Sequence, residues 1–300
     1  MNIHPTLFVT PITSAFLEIS GNDAASFLQG QVSCDINLVT TQQAQLGAHC
    51  NPKGRVIFSF LALKIKDNYY LQLPNNMIET ALKALLKYAV FSKVSLRNAT
   101  DKLAAIGLIG PSGQQFLPTS VAHLMPELSF FKIPATENQY LIVGPSIKTT
   151  ELYSALAKHS NLSDSRPEVW KEAFLRNGLA NIYPETKEQY TPHQLNYQLT
   201  GAVNFKKGCF TGQEIIARMH YLGKLKQALY QFRAETSEAP TLNLAIYSQE
   251  KEQAVGNIID YCQDRDGKIL VLAVVHNEYI NDPLLHYKMN GLETRLINLP

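Results

Sequence analysis

Apolar positions recur along this chain at two spacings, and the switches between them mark out its elements. Phe16-Leu17-Glu18-Ile19-Ser20 predicts a strand. Ser20-Gly21-Asn22-Asp23 then supplies turn and cap chemistry for a short helix over 24–28, which Gln29-Gly30-Gln31 breaks. Asn51-Pro52-Lys53-Gly54 has a turn composition, so His49-Cys50 and Val56-Ile57-Phe58 fall on the two arms of a hairpin. Strand text continues over 64–73. From Met77 to Tyr88 the apolar residues return at helical intervals with lysines on the other face, and 89–96 reads as strand again. Residues 104–109 and 140–143 predict two more strands, with a helical candidate over 112–117 between them. Residues 151–158 and 168–177 predict helices, the second with Pro167 at its start and Gly178 at its end.

Beyond Leu225 the text becomes a series of short strands, over 228–234, 242–248, 254–261, 268–275, 284–288 and 293–296. Turns such as Asp266-Gly267 and Asn290-Gly291 separate them, which is how a small β-barrel or sandwich reads. A domain boundary is placed near residue 228, giving a region 1–228, itself expected to hold two subdomains, and a barrel 229–300. The whole is of α+β class.

Composition narrows the function classes. Apolar residues make up 45% and charged residues 17% of 300, an ordinary globular balance that argues against disorder. A net charge of +2 is too small for a broad phosphate-neutralising surface, so no strong direct nucleic-acid surface is expected. Cys34, Cys50, Cys209 and Cys262 form no C-x-x-C pair and no Cys/His cluster at zinc spacing, so neither a disulfide framework nor a metal site is indicated. The same spacing argues against a resident iron–sulfur cluster. Residues 1–6 lack the pattern of a signal peptide, and no run of about 18 apolar residues occurs, so a cytoplasmic protein without a membrane partner is expected.

The densest chemistry lies in Lys206-Lys207-Gly208-Cys209-Phe210-Thr211-Gly212-Gln213-Glu214. Thr211 and Glu214 have capping-box spacing, so a helix is predicted to start here with Ile215, Ile216 and Met219 facing inward and Glu214 paired to Arg218. Cys209 then precedes a helix N-terminus beside two lysines, where a thiolate is favoured, and Gly208 and Gly212 let the backbone bend around it. The competing reading is a small buried hydrophobe next to a solvated basic face.

Lys207 to Glu214 closely resembles the K-G-C-[YF]-x-G-Q-E signature of the YgfZ family, folate-binding proteins related to the aminomethyltransferase T-protein of glycine cleavage. Residues 23–31, 48–55, 86–94 and 192–196 are similar to further family blocks, in the family's order. The resemblance implies an aminomethyltransferase-like folate-binding region that forms a ring with a C-terminal β-barrel, with the pteridine of tetrahydrofolate in a central cavity. It implies an accessory role toward iron–sulfur proteins, including the radical enzyme that methylthiolates tRNA, and an indirect link to tRNA. Cys209 is the residue on which that role is expected to depend, within a signature that also includes Lys207, Gly208, Gly212, Gln213, Glu214 and Arg218.

Two places depart from the relatives. Aminomethyltransferases carry an aspartate pair after the early hairpin turn, where this chain reads Val56-Ile57-Phe58-Ser59-Phe60, so acid/base chemistry of that kind lacks its group. Some family members carry a second tryptophan before the first strand, where this chain has Thr13-Ser14-Ala15-Phe16; its role is either absent here or taken over by Phe16. Trp170, the only tryptophan, is either a core residue or, on the resemblance, a folate contact. Gln29, Gly30 and Gln31 are candidates for the cavity wall, and Asn51, Lys53 and Arg55 for a glutamyl tail, or all are turn residues. His49 and Cys50, adjacent on a strand, read as structural. The runner-up functions are a folate-dependent aminomethyl transferase and a binding module in which Cys209 is structural.

Overall fold

The structure, a computed structural model, describes residues 8–110, 117, 119–158, 166–249 and 251–299. The N-terminal 1–6 stretch and most of the helical candidate over 112–117 lie outside them.

Strands β1 (Phe8–Ile12) and β2 (Ala15–Ser20) are consecutive but belong to different sheets. After β2 come α1 (Ala24–Gln31), β3 (Gln45–Cys50), β4 (Val56–Ile65), β5 (Asn68–Leu73), α2 (Ile78–Leu86) and β6 (Ser95–Asn98). The first sheet has the order β3-β4-β5-β2-β6, antiparallel throughout. Strands β7 (Leu103–Ile109), β8 (Ser129–Lys132) and β9 (Gln139–Pro145) join β1 in a second sheet ordered β1-β7-β9-β8. Thr13 and Ser14 form the crossing between the two sheets. Helix α3 (Ser146–Leu156) packs on β7 and β9, while α4 (Pro167–Arg176) touches β1 and β7 on one side and the C-terminal strands on the other.

An irregular segment over 179–212 leads to α5 (Gln213–Leu222). It contains many buried residues, so its backbone groups need partners other than a regular ladder. Several come from hydrogen bonds to distant strands. The Val56 N–H donates to the Tyr190 carbonyl at 2.8 Å, the Ile182 N–H to Ser59 Oγ at 3.0 Å, and the Asn204 N–H to the Ser33 carbonyl at 2.9 Å.

The remaining strands, β10 (Gln227–Ala234), β11 (Ala245–Ser248), β12 (Lys251–Gln263), β13 (Ile269–His276), β14 (His286–Met289) and β15 (Leu292–Asn298), close into a barrel of order β10-β13-β12-β11-β14-β15. Its interior has its own core around Phe232, Val271 and Tyr287, while Leu229, Ile259, Leu270 and Leu272 pack outward against the main core. This alternation is what a strand with two different faces requires. The α+β class and the terminal barrel stand as the sequence predicts.

Three expectations fail. α1 does not stop at Gln29 but runs through Gln31. The strand over 89–96 is replaced by a 3₁₀ turn, Ala89–Phe91, before β6, because Val90 and Phe91 find no sheet neighbour and stand in solvent at 76% and 99% exposure. Strands β1 and β8 lie outside the segments that the sequence marks as strands.

Candidate functional site

A cavity of about 420 Å³ lies where the first sheet, α4 and the irregular segment meet. β3 and β4 contribute Gly47, Ser59 and Phe60, and the crossing between the sheets contributes Thr13 and Ser14. From α4 come Trp170, Lys171 and Phe174, and from the irregular segment Asn181, Tyr183, Tyr197 and Thr200. The volume lies within the roughly 300–1,000 Å³ typical of small-molecule sites. Its wall is mainly apolar and aromatic with scattered amides and hydroxyls, and no carboxylate is among the lining residues. Asn75 and Asn76 at its edge bring two side-chain amides to it.

Trp170 reaches this wall because α4 crosses β7 at a glycine. A Cβ on Gly107 would stand 2.3 Å from Trp170 Cε3, closer than packed atoms approach, so the bare backbone there is what lets the indole lie against the strand. The helix signals hold: Pro167 sits in its first turn and Gly178 follows it with φ +70°.

Behind Lys171 lies the buried acid Asp260, on barrel strand β12. Lys171 Nζ is 2.8 Å from Asp260 Oδ1, and Asp260 Oδ2 accepts from the Tyr183 hydroxyl and the Asn181 N–H, each at 3.3 Å. Burial alone would lower the Lys171 pKa, but the Asp260 carboxylate outweighs it and holds the ammonium above its usual range. Burial and the same carboxylate raise the Tyr183 pKa. The sequence carries no sign of this pair, whose partners are far apart in the chain.

The predicted signature sits at a separate place. Gly212 caps α5 with φ +84° and lies so close to the hairpin turn that a Cβ would be 2.5 Å from the Asn51 carbonyl oxygen. The capping box does not form. Gln213 Oε1 instead accepts from the Phe210 N–H at 3.2 Å, and Thr211 Oγ1 donates to Gln31 Oε1 at 3.2 Å. Lys207 does not flank the thiol as a free cation. It is buried, donating to the Val32 and Cys34 carbonyls at 2.6 and 2.7 Å with Nζ 5.3 Å from the centre of the Phe210 ring. Burial lowers its pKa to about 8. Glu214 and Arg218 form no ion pair among the described residues, and of the apolar residues predicted to face inward only Ile216 is fully buried, Ile215 being exposed.

Cys209 itself is exposed on this pinned loop, the only exposed free thiol among the described residues. Cys34, Cys50 and Cys262 are buried, and burial pushes each of their pKa values up to about 12, which leaves them as inert thiols at neutral pH.

The weaker candidates separate cleanly. Gln29 and Gln31 do not line the cavity, since Gln29 bridges Asp35 and the Ile36 N–H and Gln31 faces His49 and Thr211. Asn51 Oδ1 accepts from the Lys53 and Arg55 N–H groups, and Arg55 donates to the Gln189 carbonyl, so these residues build a turn. Phe16 is buried in the core, and Thr13 and Ser14 take the cavity position before β2. His49 and Cys50 are both buried at a bulge in the β3–β4 pairing, with the His49 pKa lowered by burial.

Comparison with known proteins adds four findings. Residues 13–168 match the family profile of the GCVT N-terminal domain. The chain is 29% identical over 273 residues to the tRNA-modifying protein YgfZ of Colwellia psychrerythraea, covering 87% of this chain and 83% of that one. It is 28% identical over 287 residues to the protein of the same name from Vibrio atlanticus, covering 93% and 87%. Among solved structures, the glycine cleavage system aminomethyltransferase T of Bartonella henselae superposes with a TM-score of 0.73 over 98% of this chain and 85% of its own, at 12% identity, a likeness of fold.

Proposed function

Since this chain belongs to the family of the GCVT N-terminal domain, we propose that its cavity binds a reduced folate and that the protein supports tRNA modification as an accessory to iron–sulfur enzymes, through the thiol of Cys209. The tRNA side of this reading follows the name carried by its relatives. The single observation behind it is the cavity's composition: a wall of Trp170, Phe60 and Phe174 together with amides and hydroxyls, and without an acid.

A reduced folate fits that donor set. Asn75 and Asn76 bring amides that can pair with the edges of a pterin, and the aromatic wall suits its ring system. Tetrahydrofolate, when bound, supplies nitrogen atoms that carry a one-carbon unit. Trp170 would supply an apolar face to the bound ring, and Lys171 and Tyr183, both held by Asp260, keep fixed positions in the wall. No side chain of the lining is a carboxylate that would take or give a proton at those nitrogens, so classical aminomethyl transfer is the weaker reading. The folate region is taken as residues 1–228 and the barrel as 229–300, with the barrel contributing Asp260. The reading takes the cytoplasm as the compartment, where a free thiol such as Cys209 stays reduced.

Calorimetric titration of the purified chain with tetrahydrofolate tests this reading. One equivalent is expected to bind, and incubation with an aminomethyl or methylene donor is expected to give no turnover. Gly107→Ala, which pushes Trp170 off β7, should weaken binding about tenfold or more. Full affinity in that variant, or sustained turnover by the wild type, would count against it.

A further inference from the structure

The turn that follows α2 exposes a group of apolar side chains that the fold itself does not use. Phe91 is 99% exposed and Val90 76%, with Leu86 and Tyr88 beside them also exposed. The turn is not loose. Its ends are fixed by the Ser92 N–H donating to the Ala89 carbonyl at 3.0 Å and by the Lys93 N–H donating to Asp23 Oδ2 at 2.7 Å. Gly21 also lies against Lys93, since a Cβ there would be 2.3 Å from the Lys93 carbonyl oxygen. A pinned turn that holds a phenylalanine in water loses hydrophobic free energy in the isolated chain, and such patches mark interaction sites.

Charge selects the partner. Lys83, Lys87 and Lys93, all within three positions of the patch residues in the chain, are exposed, and none is in an ion pair among the described residues. Leu86 and Val90 are aliphatic, so they offer a nucleic acid neither stacking nor a phosphate contact, whereas aromatic and aliphatic anchors with a charged rim are the composition of a protein interface.

Position relates the patch to the thiol. The Tyr88 ring lies 6.1 Å from the His49 ring, edge to face, and His49 Nδ1 is 2.7 Å from the Gln31 carbonyl oxygen. Gln31 Oε1 in turn accepts from Thr211, two residues from Cys209. A standard interface covers about 800 Å² on each partner, enough for one protein to span both features.

We propose that the patch centred on Phe91 is the docking surface for a partner protein with an apolar socket and an acidic rim, and that docking there brings the partner's edge to Cys209. This deepens the reading of the protein as an accessory to iron–sulfur enzymes and rests on it for the identity of the partner. The probe is therefore a purified tRNA-methylthiolating radical enzyme, with binding followed by biolayer interferometry against this chain, immobilised whole.

Wild type should bind, and Phe91→Asp should weaken binding about tenfold or more without lowering Tm, since the side chain touches no core. The pair Lys87→Glu and Lys93→Glu should also weaken it and flatten its salt dependence. Cys209→Ala should bind as wild type does. Failure of the wild type to bind, or equal binding by Phe91→Asp, would overturn the proposal. So would loss, in that variant, of affinity for labelled tRNA or of self-association in place of affinity for the enzyme. If Cys209→Ala leaves methylthiolation intact, the accessory reading falls, yet the binding comparison still decides the patch.

Discussion

Cells whose only copy of this protein carries Cys209→Ala are expected to lose most of the methylthio groups of their tRNA, while the purified variant melts with the wild type. Both halves follow from the loop's construction. Its neighbours make the structural contacts: Lys207 reaches two carbonyls of the 32–34 segment, Gln213 turns back on Phe210, and Thr211 joins Gln31. Cys209 stands exposed among them, so truncating it removes no burial. No other thiol substitutes, because burial holds Cys34, Cys50 and Cys262 at about 12. Mass spectrometry of tRNA nucleosides reads the first half and thermal unfolding the second. Cys209→Ser keeps size and polarity without the thiol and should fail in cells as alanine does. Normal modification with serine in place would assign Cys209 a structural role.

The second large effect is on stability. Lys171→Met should cost about 3–5 kcal/mol at pH 7, because it leaves the carboxylate of Asp260 buried without its counter-charge. For a chain of this length that is a fall of roughly 5–10 °C in Tm. The donors that remain, from Asn181, Tyr183 and Tyr261, place the cost toward the lower end of that range. Melting curves of Lys171→Met, Asp260→Asn and the double variant check the cause, and the double variant should recover part of the loss because it removes the buried charge together with its partner. A double variant no more stable than Lys171→Met would show that lost packing of the lysine stem, and not the unpaired acid, destabilises it.

Much of the architecture is legible in the sequence because local chemistry writes it. Pro167 and Gly178 bound α4, Asn51-Pro52-Lys53-Gly54 turns the β3–β4 hairpin, and Asp266-Gly267 and Asn290-Gly291 punctuate the barrel. Side chains that act at a distance are not legible. The text of Lys206-Lys207 suggests a pair of solvated cations, and only tertiary structure shows that Lys207 spans to Val32 and Cys34. The Thr211/Glu214 spacing fits a capping box, but the left-handed backbone of Gly212 and the Gln31 side chain draw Thr211 elsewhere. Apolar Ala89-Val90-Phe91 looks like strand by composition, and nothing local reveals that Val90 and Phe91 face water.

The cavity shows the same limit in a different form. Its lining runs from Pro11 to Ala202 and is assembled by two sheets, one helix and an irregular segment, so no spacing in the text could outline it. Trp170 is a candidate through resemblance alone, and its seat on Gly107 is visible only once β7 and α4 are packed. The segment over 179–212, which supplies one wall, lacks periodicity because its order comes from bonds such as Ile182 to Ser59 and Tyr197 to the Ala180 carbonyl.

Because the chain has a single tryptophan, at 170, its intrinsic indole emission reports on the cavity wall alone. Titrating the wild-type protein anaerobically with tetrahydrofolate, and following that emission, should give a saturable change with a stoichiometry of one ligand per chain. Cys209→Ala should trace the same curve, since the thiol lies outside the cavity lining. Emission that stays flat up to concentrations at which calorimetry shows saturation would place the folate elsewhere, and the absence of saturation in both measurements would contradict the folate cavity outright.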